Sequence, residues 1–267
     1  DSALYKAGHV TNYPGVPDVS GPALLETMTQ QARDLGADFL RERALSAMPM
    51  GKTFGVSAGK EFAEGRALLL ATGIAQRGTF PGEAEFLGRG VSYCATCDGM
   101  LYRGREVAIV GGGNTAVGDA LTLARLAGRV TLIHRRDALR ASAVYLDKLR
   151  ENGVNIVWNT EVKALQGDDR LTGLVLRNKV TGEESTLPVD GLFVAVGRRP
   201  ETALFRGQLE TDEAGYLIAD ETTRTSLPGV YAVGDVRRKP VRQILTAAAD
   251  GAVAAHYIEE YLAGNRA

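Results

Sequence analysis

The chain has 267 residues, 45% of them hydrophobic, and at about 100–200 residues per domain this length favours two domains. Its 31 lysines and arginines nearly balance its 32 aspartates and glutamates, which gives no reason to expect nucleic acid or an anionic membrane as a partner. No window approaches the roughly 18 apolar residues of a membrane span, and Asp1 is not followed by a secretory signal. The three scattered histidines argue against a His-rich metal site.

The first part of the chain contains a turn at Asn12-Tyr13-Pro14-Gly15 and then a predicted helix over 21–36, where apolar residues recur at helical spacing. Residues 66–73 predict a short buried strand that ends in a glycine turn. Residues 74–90 are rich in glycine, proline and charge, and they predict a crossing between domains near 74–79.

From residue 106 the sequence predicts strands that alternate with helices, the pattern typical of a parallel α/β sheet. In order, we predict strand 106–110, helix 114–127, strand 130–133, helix 137–152 and strand 154–158. Antiparallel strands are expected over 171–196, the last at 192–196, followed by a second crossing near 197–202. The chain then predicts a strand at 230–233 and a long helix from about residue 243.

A dinucleotide site is predicted where strand 106–110 meets helix 114–127. Gly111-Gly112-Gly113-Asn114-Thr115-Ala116 fits G-x-G-x-x-A, whose glycines allow a tight turn and close approach of the backbone to a pyrophosphate. The helix then offers free N–H groups and the positive end of its dipole. A glycine turn without a ligand is the alternative, but the flanking strand and helix favour a nucleotide.

Arginines rather than a carboxylate follow the next strand, at His134-Arg135-Arg136, with Arg140 one turn further on. A carboxylate there would bind the ribose of NAD, whereas guanidinium groups bind a 2′-phosphate. The alternative is a solvated basic turn. The position at the end of this strand favours NADPH.

The two cysteines form a C-x-x-C motif, Cys94-Ala95-Thr96-Cys97, followed directly by Asp98. A disulfide this short closes almost no loop, so it is a poor structural staple and a good redox pair, which fits a cytoplasmic location. An adjacent carboxyl group can give or take the proton of thiol chemistry. Half of a zinc site or two buried thiols are the alternatives, and the chain has no second cysteine pair to complete a zinc site.

The basic run Arg237-Arg238-Lys239 follows a Gly-Asp pair. It could be a docking surface for an acidic partner, but a solvated loop is the expectation for a surface charge run.

These motifs together resemble the thioredoxin reductases of the small bacterial type. That family carries C-A-T-C-D-G, G-G-G-N/D-x-A and H-R-R-x-x-x-R-A, found here at residues 94–99, 111–116 and 134–141. Its N-Y/W-P-G, A-T-G, G-D and R-Q motifs correspond to residues 12–15, 71–73, 234–235 and 242–243. The resemblance covers essentially the whole chain, in order.

The resemblance implies two Rossmann-like three-layer domains and an enzyme that passes electrons from NADPH through FAD to the Cys94–Cys97 disulfide and on to thioredoxin. Cys97 would lie nearest the flavin, Cys94 would attack the partner's disulfide, and Asp98 would be the general acid. The residues implied to hold NADPH are Gly111, Gly113, Asn114, Thr115, Ala116, His134, Arg135, Arg136 and Arg140. Those implied to contact FAD are Asn12, Thr72, Gly73, Gly234, Asp235, Arg242, Gln243 and Ile244.

The implied domains are an FAD-binding domain from 1–76 and 201–267, and an NADPH-binding domain from 77–200 that carries the cysteines. The family is usually homodimeric, and its nucleotide domain rotates against the flavin domain. It also opens with a strand and a second glycine loop for FAD, which this chain lacks, so the FAD domain is expected to be truncated at its N-terminus. Another dithiol acceptor, or a flavin-free NADPH-binding module, are the alternatives.

Overall fold

The computed structural model describes residues 2–76, 80–141, 143–205 and 207–264. The chain divides into two compact units, one formed by Asp1–Ala75 with Arg199–Ala267 and the other by Gln76–Arg198. The domain boundaries predicted after residues 76 and 200 fall one and two residues later than these. Residues 77–79 of the first predicted crossing lie outside the described residues.

Strands and helices are numbered in chain order through both units. The strands are β1 (Ala44–Met50), β2 (Thr53–Ala58), β3 (Glu61–Gly65), β4 (Leu68–Leu70), β5 (Ile74–Gln76), β6 (Val91–Ser92), β7 (Glu106–Val110), β8 (Arg129–Ile133), β9 (Asn155–Val157), β10 (Thr160–Gly167), β11 (Leu171–Asn178), β12 (Glu184–Pro188), β13 (Gly191–Val194), β14 (Arg198–Pro200) and β15 (Val230–Ala232). The α-helices are α1 (Gly21–Asp34), α2 (Ala95–Asp98), α3 (Asn114–Ala124), α4 (Ala143–Glu151) and α5 (Ile244–Gly264). Short 3₁₀ helices occupy Gly99–Tyr102, Ala203–Phe205 and Gly234–Val236.

The unit Gln76–Arg198 is built on a five-stranded parallel sheet in the order β6-β13-β7-β8-β9. Alternate residues of its strands face opposite layers, as the pleat requires. Val107 and Ile109 pack with helix α3 on one face. Ala108 packs on the other face with the antiparallel strands β10 and β11. Packing on both faces explains why residues 107–110 of β7 are all apolar, and the unit has three layers.

Two predictions in this unit need correction. The helix expected over 137–152 is formed as α4, Ala143–Glu151, but residues 137–141 are not helical. The N–H groups of Arg140 and Ala141 donate to the Gly112 carbonyl at 2.8 and 3.3 Å instead of to a helical partner. The strand expected at 192–196 as antiparallel is β13, which pairs in parallel with β6 and β7. Its complete burial is the property of a central parallel strand.

The other unit contains the antiparallel meander β1-β2-β3 and the parallel pair β15-β4. Their shared core includes Phe54, Leu70, Leu217 and Ala232. The meander was not predicted from the sequence, although glycines with positive φ, Gly51 (76°) and Gly59 (60°), mark both of its turns.

Helices α1 and α5 confirm the helical patterns at the two ends of this unit. Ser20 caps α1 by accepting the Ala23 N–H at 3.3 Å. Within the described ranges, no helix is both long enough and apolar enough to cross a membrane.

Candidate active site

The glycine loop after β7 leads directly into α3. Gly113 is the N-cap of this helix, and no side chain caps the helix there. Asn114 and Thr115 are exposed in its first turn. The unpaired N–H groups and the positive end of the helix dipole make this turn a site for a phosphate or another anion.

Close packing explains why the loop is built of glycines. A Cβ on Gly111 would lie 2.4 Å from Cβ of Ala116, so the helix could not approach the strand. A Cβ on Gly112 would lie 2.1 Å from Cε1 of His134. Ala116 and His134 already occupy the space that these side chains would need, so only glycine allows this close packing of strand, loop and helix, as in a dinucleotide-binding turn.

His134 lies beneath the loop. It is 6% exposed, its Nδ1 is 2.9 Å from the Gly111 carbonyl oxygen, and its Nε2 is 2.9 Å from that of Ala138. Both ring nitrogens therefore face backbone carbonyls. The imidazole supports the loop and presents neither nitrogen to a ligand.

Three arginines follow the carboxyl end of β8. Arg135, Arg136 and Arg140 are all exposed. Nη2 of Arg140 lies 3.9 Å from the Cβ position of Gly113, beside the N-terminus of α3. Among the described residues, none of the three takes part in the ion pairs that the structure shows. Their charge is therefore available to a second phosphate group near this turn.

Cys94 and Cys97 are joined by a disulfide with their Cα atoms 5.3 Å apart. Cys94 is the N-cap of the single-turn helix α2, and its Sγ accepts the Cys97 N–H at 3.2 Å. Oγ1 of Thr96 lies 3.3 Å from the same sulfur. Hydrogen bonds of this kind stabilise a thiolate, so they favour ionisation of the Cys94 thiol once the disulfide is reduced.

Asp98 ends helix α2 and lies partly buried beside the pair. Its Oδ2 accepts the hydroxyl of Ser92 at 2.6 Å. The structure thus brings Cys94, Cys97 and Asp98 into one turn of chain, in the same unit as the glycine loop. Ser92 was not predicted as a site residue, and only its proximity to the cysteines in sequence could have indicated it.

A buried carboxylate supports the segment that leads to the cysteines. Glu83 is 2% exposed, its Oε2 accepts the Phe80 N–H at 3.0 Å, and its Oε1 accepts the Tyr93 hydroxyl. Burial, with the hydrogen bond to Glu83 adding to it, raises the pKa of Tyr93 above its usual value and keeps the phenol a donor. This pair was also not predicted, because Glu83 and Tyr93 show no pattern in the sequence.

In the other unit, two predicted flavin turns lie at one edge of a small sheet. Strands β4 and β15 are parallel, so the turns that follow them, at Thr72-Gly73 and Gly234-Asp235, leave from the same side. Gly73 and Gly234 have φ of 67° and 69°. Glycine is the residue that takes this conformation without strain, and the carboxyl edge of parallel strands is where nucleotide ligands bind.

Residues from opposite ends of the chain meet at this unit. Asn12 donates from Nδ2 to Oε1 of Gln243 at 2.8 Å, across 231 positions of sequence. Nε of Arg242 donates to the Asp235 carbonyl at 3.3 Å, and its guanidinium lies 4.0 Å from the centre of the Tyr216 ring. Ile244 begins α5 directly behind them. Five of the predicted flavin residues are thus connected through one backbone and side-chain network.

The basic run 237–239 is not the solvated loop that was expected. The side chains of Arg237 and Lys239 are 8% and 7% exposed, and both bind Asp250 of α5, at 2.9 and 2.7 Å. Asp250 Oδ2 also accepts the Gly234 N–H at 2.8 Å, which fixes the turn of the Gly-Asp motif. A single aspartate within the apolar run of helix α5 was the available signal, because a lone carboxylate there needs buried partners.

Burial raises the pKa of Asp250, but hydrogen bonds from Arg237, Lys239 and the Gly234 N–H together outweigh it. The pKa of this carboxyl is therefore held below its ordinary value.

Known proteins match the chain over almost all of its length. Residues 11–251 match the family described as pyridine nucleotide-disulphide oxidoreductase. Thioredoxin reductase of Peptoclostridium acidaminophilum is 40% identical over 96% of this chain and 84% of its own, and that of Mycolicibacterium smegmatis is 43% identical over 98% and 85%.

The fold agrees with that similarity. The structure of thioredoxin reductase from Giardia duodenalis superposes with a TM-score of 0.93 at 36% identity, over 98% of this chain and 87% of that one. Sequence and structure lead to the same assignment. The chain belongs to the pyridine nucleotide-disulphide oxidoreductase family.

Proposed function

We propose that this chain is an NADPH-dependent flavoprotein disulfide reductase that acts on thioredoxin. One observation carries the proposal: the Cys94–Cys97 disulfide and Asp98 share a compact unit with a glycine loop and a row of exposed arginines. An accessible disulfide next to a carboxyl group suits dithiol exchange, and the loop suits a reducing dinucleotide. The relatives named thioredoxin reductase support thioredoxin as the acceptor.

The nucleotide would be held mainly by backbone. Gly111, Gly113 and the first turn of α3, with Asn114, Thr115 and Ala116, would bind the pyrophosphate. Arg135, Arg136 and Arg140 would bind the 2′-phosphate, and this preference for a second phosphate selects NADPH over NADH.

Flavin would be held by the other unit. The turns at Thr72-Gly73 and Gly234-Asp235 would approach it with backbone, and the Asn12–Gln243 pair, Arg242 and the start of α5 at Ile244 would contact it from the side. When bound, FAD would accept a hydride from NADPH and pass two electrons to the disulfide. We infer that Cys97 is the cysteine that receives them.

The exchange with the partner uses the reduced pair. The Cys94 thiolate attacks the partner's disulfide, forming a mixed disulfide and releasing one partner thiolate, which takes a proton from Asp98. The Cys97 thiolate then attacks Cys94, closes the Cys94–Cys97 disulfide and releases the second partner thiolate. Two electrons pass to the partner, and the two thiol protons of the pair end on the partner's sulfurs, the first by way of Asp98.

We further infer a homodimer and a cytoplasmic setting. Both follow from membership in this family, and the second also from a cysteine content limited to one short redox pair, as expected where thiols are kept reduced.

The test is an anaerobic absorption spectrum of the purified chain before and after addition of NADPH, followed by addition of oxidised thioredoxin. We expect a flavin band that bleaches with NADPH and returns when thioredoxin is added. A band that bleaches but does not return with thioredoxin would refute the acceptor. A band that NADPH leaves unchanged would refute the whole route.

A further inference from the structure

Ser92 is hydrogen-bonded to both Cys94 and Asp98. It is 3% exposed and ends β6, two residues before Cys94. Its Oγ accepts the Cys94 N–H at 3.1 Å and lies 2.6 Å from Oδ2 of Asp98. A longer contact of 3.4 Å joins the same oxygen to the Cys94 carbonyl.

The single hydroxyl proton of Ser92 goes to Asp98. A hydroxyl offers one donor and two acceptor positions, so it can donate to only one of the two oxygens nearby. The contact with the Asp98 carboxylate, at 2.6 Å, falls in the range of roughly 2.5–2.7 Å for a charge-assisted O–H···O⁻ bond. The contact with the Cys94 carbonyl, at 3.4 Å, is much longer. One of the two acceptor positions takes the Cys94 N–H.

The sheet makes Ser92 a fixed point. β6 pairs in parallel with β13, with Val91 opposite Leu192 and Ser92 opposite Phe193, and Phe193 is 1% exposed. The cysteines and Asp98, in contrast, lie in the single turn of α2. Ser92 therefore gives the Asp98 carboxyl a hydrogen-bond partner that is anchored outside this turn.

We propose that Ser92 is a positioning residue for the disulfide chemistry: its hydroxyl holds the Asp98 carboxyl in the orientation that delivers a proton, and it fixes the backbone of Cys94 at the same time. Ser92 does not touch the reacting sulfurs and acts through Asp98. The inference rests on the proposed function, because it assigns a support to the acid of that reaction.

The test is a double-mutant cycle between Ser92→Ala and Asp98→Asn, read as kcat and KM for thioredoxin with NADPH. General acids contribute roughly 100-fold or more to such steps, so we expect Asp98→Asn to lower kcat about 100-fold and Ser92→Ala about 10-fold. The KM for thioredoxin should stay within about twofold. In the Asp98→Asn background, Ser92→Ala should have no further effect on kcat, because the group through which it acts is gone.

A matched control is Thr160→Val. Thr160 is also buried in this unit, at 5% exposed, and its hydroxyl donates to the Trp158 carbonyl at 2.7 Å rather than to Cys94 or Asp98. It should lower the melting temperature by an amount similar to Ser92→Ala and leave kcat unchanged. If Ser92→Ala does not fold, Ser92→Thr keeps the hydroxyl and should retain kcat within about threefold.

Three results would overturn the inference while leaving the proposed function intact: an unchanged kcat in Ser92→Ala, a further 10-fold loss in the Asp98→Asn background, or a loss of kcat in Ser92→Thr as large as that of Asp98→Asn. A wild-type chain that does not reduce thioredoxin with NADPH would instead refute the proposed function itself.

Discussion

At Gly111 a hydrogen atom in place of a methyl group decides how closely helix α3 approaches strand β7. The Cβ that alanine would add lies 2.4 Å from Cβ of Ala116, well inside any real contact. Gly118, seven residues later and within helix α3, has nothing within 4 Å of its Cβ position. Packing therefore requires glycine at position 111 but not at position 118.

We expect Gly111→Ala to destabilise the unit by about 1–3 kcal/mol, the usual cost of overpacking, and to weaken NADPH binding at least about 10-fold, because α3 must shift. Gly118→Ala is the control. In an exposed helical position it should be neutral or stabilise by up to about 1 kcal/mol. Thermal unfolding and NADPH titration measure both, and equal effects of the two variants would contradict the packing account.

Selectivity for NADPH is expected to depend on the exposed arginines at the end of β8. A hydrogen bond to a charged group contributes about 1.5–3 kcal/mol, so Arg135→Ala should raise the KM for NADPH roughly 10- to 100-fold and leave that for NADH unchanged. Arg129→Ala is the control, since Arg129 is exposed at the opposite end of the same strand and pairs with Glu106 at 3.8 Å. Equal losses with NADH and NADPH would contradict a 2′-phosphate site.

At the scale of elements, buried charges connect helices to the turns that carry the site. Asp250 connects α5 to the Gly234 turn and to Arg237 and Lys239. Removing one partner of a buried ion pair leaves uncompensated charge, which costs more than the pair itself contributes. The geometry of the Gly-Asp turn is therefore fixed by a residue 16 positions further along the chain.

We expect Asp250→Asn to lower stability by about 3–5 kcal/mol at neutral pH. The pKa of Asp250 is depressed in the folded chain, so its contribution is present above the unfolded value of about 3.9 and is lost as the pH falls below it. The stability of the variant should consequently depend less on pH in acid. Glu260 lies on the same helix as Asp250, and Glu260→Gln, which breaks an exposed pair with Arg224, should cost no more than about 1 kcal/mol. Urea unfolding at several pH values tests this, and a similar cost for both variants would refute it.

Asp119 in α3 has the opposite pH dependence. Burial raises its pKa from 3.8 to about 6, and Arg198 opposes this only in part. Between these values the folded chain binds more protons than the unfolded chain, so stability falls as pH rises through the window. Asp119→Asn should remove that slope and stabilise the chain by about 1–3 kcal/mol at pH 7. Asp147→Asn, at an exposed position of α4, should neither change the pH dependence of stability nor stabilise the chain. If the fall in stability with pH persists in Asp119→Asn, another group is its cause.

Elements whose residues share one environment, such as a strand packed on both faces, could be predicted from local sequence. Residues 107–110 of strand β7 are all apolar because the strand is packed on both faces, and the glycine loop after it is predicted directly from three glycines. The meander β1-β2-β3 was not predicted, because its strands are exposed along much of their length and carry no clear alternation. These three strands form because they pair with one another, and no single strand carries a pattern that predicts it.

The candidate site was predicted where its residues are close in sequence and was incomplete where they are not. Cys94, Cys97 and Asp98 follow from one motif. The roles of His134 beneath the loop and of Glu83 behind Tyr93 depend on contacts across 23 and 10 positions, which no local pattern contains. Partners that meet only after folding are the part that sequence reasoning missed.

At the scale of the whole molecule, the chain leaves one unit, forms the second and returns to the first. This route lets Asn12 and Gln243, near opposite ends of the chain, meet in one unit at 2.8 Å. It also keeps the disulfide and the glycine loop together in the inserted unit. In the proposed reaction, each unit would hold one of the two cofactors.

The most direct test of the central claim is thioredoxin-dependent consumption of NADPH by the wild-type chain and by Cys94→Ser and Cys97→Ser. We predict steady consumption by the wild type, and loss of the thioredoxin-dependent rate by at least about 1,000-fold in both variants, with NADPH binding unchanged, because both sulfurs take part in every turnover. Continued reduction of thioredoxin by either variant would contradict the assignment of Cys94 and Cys97 as the path for electrons.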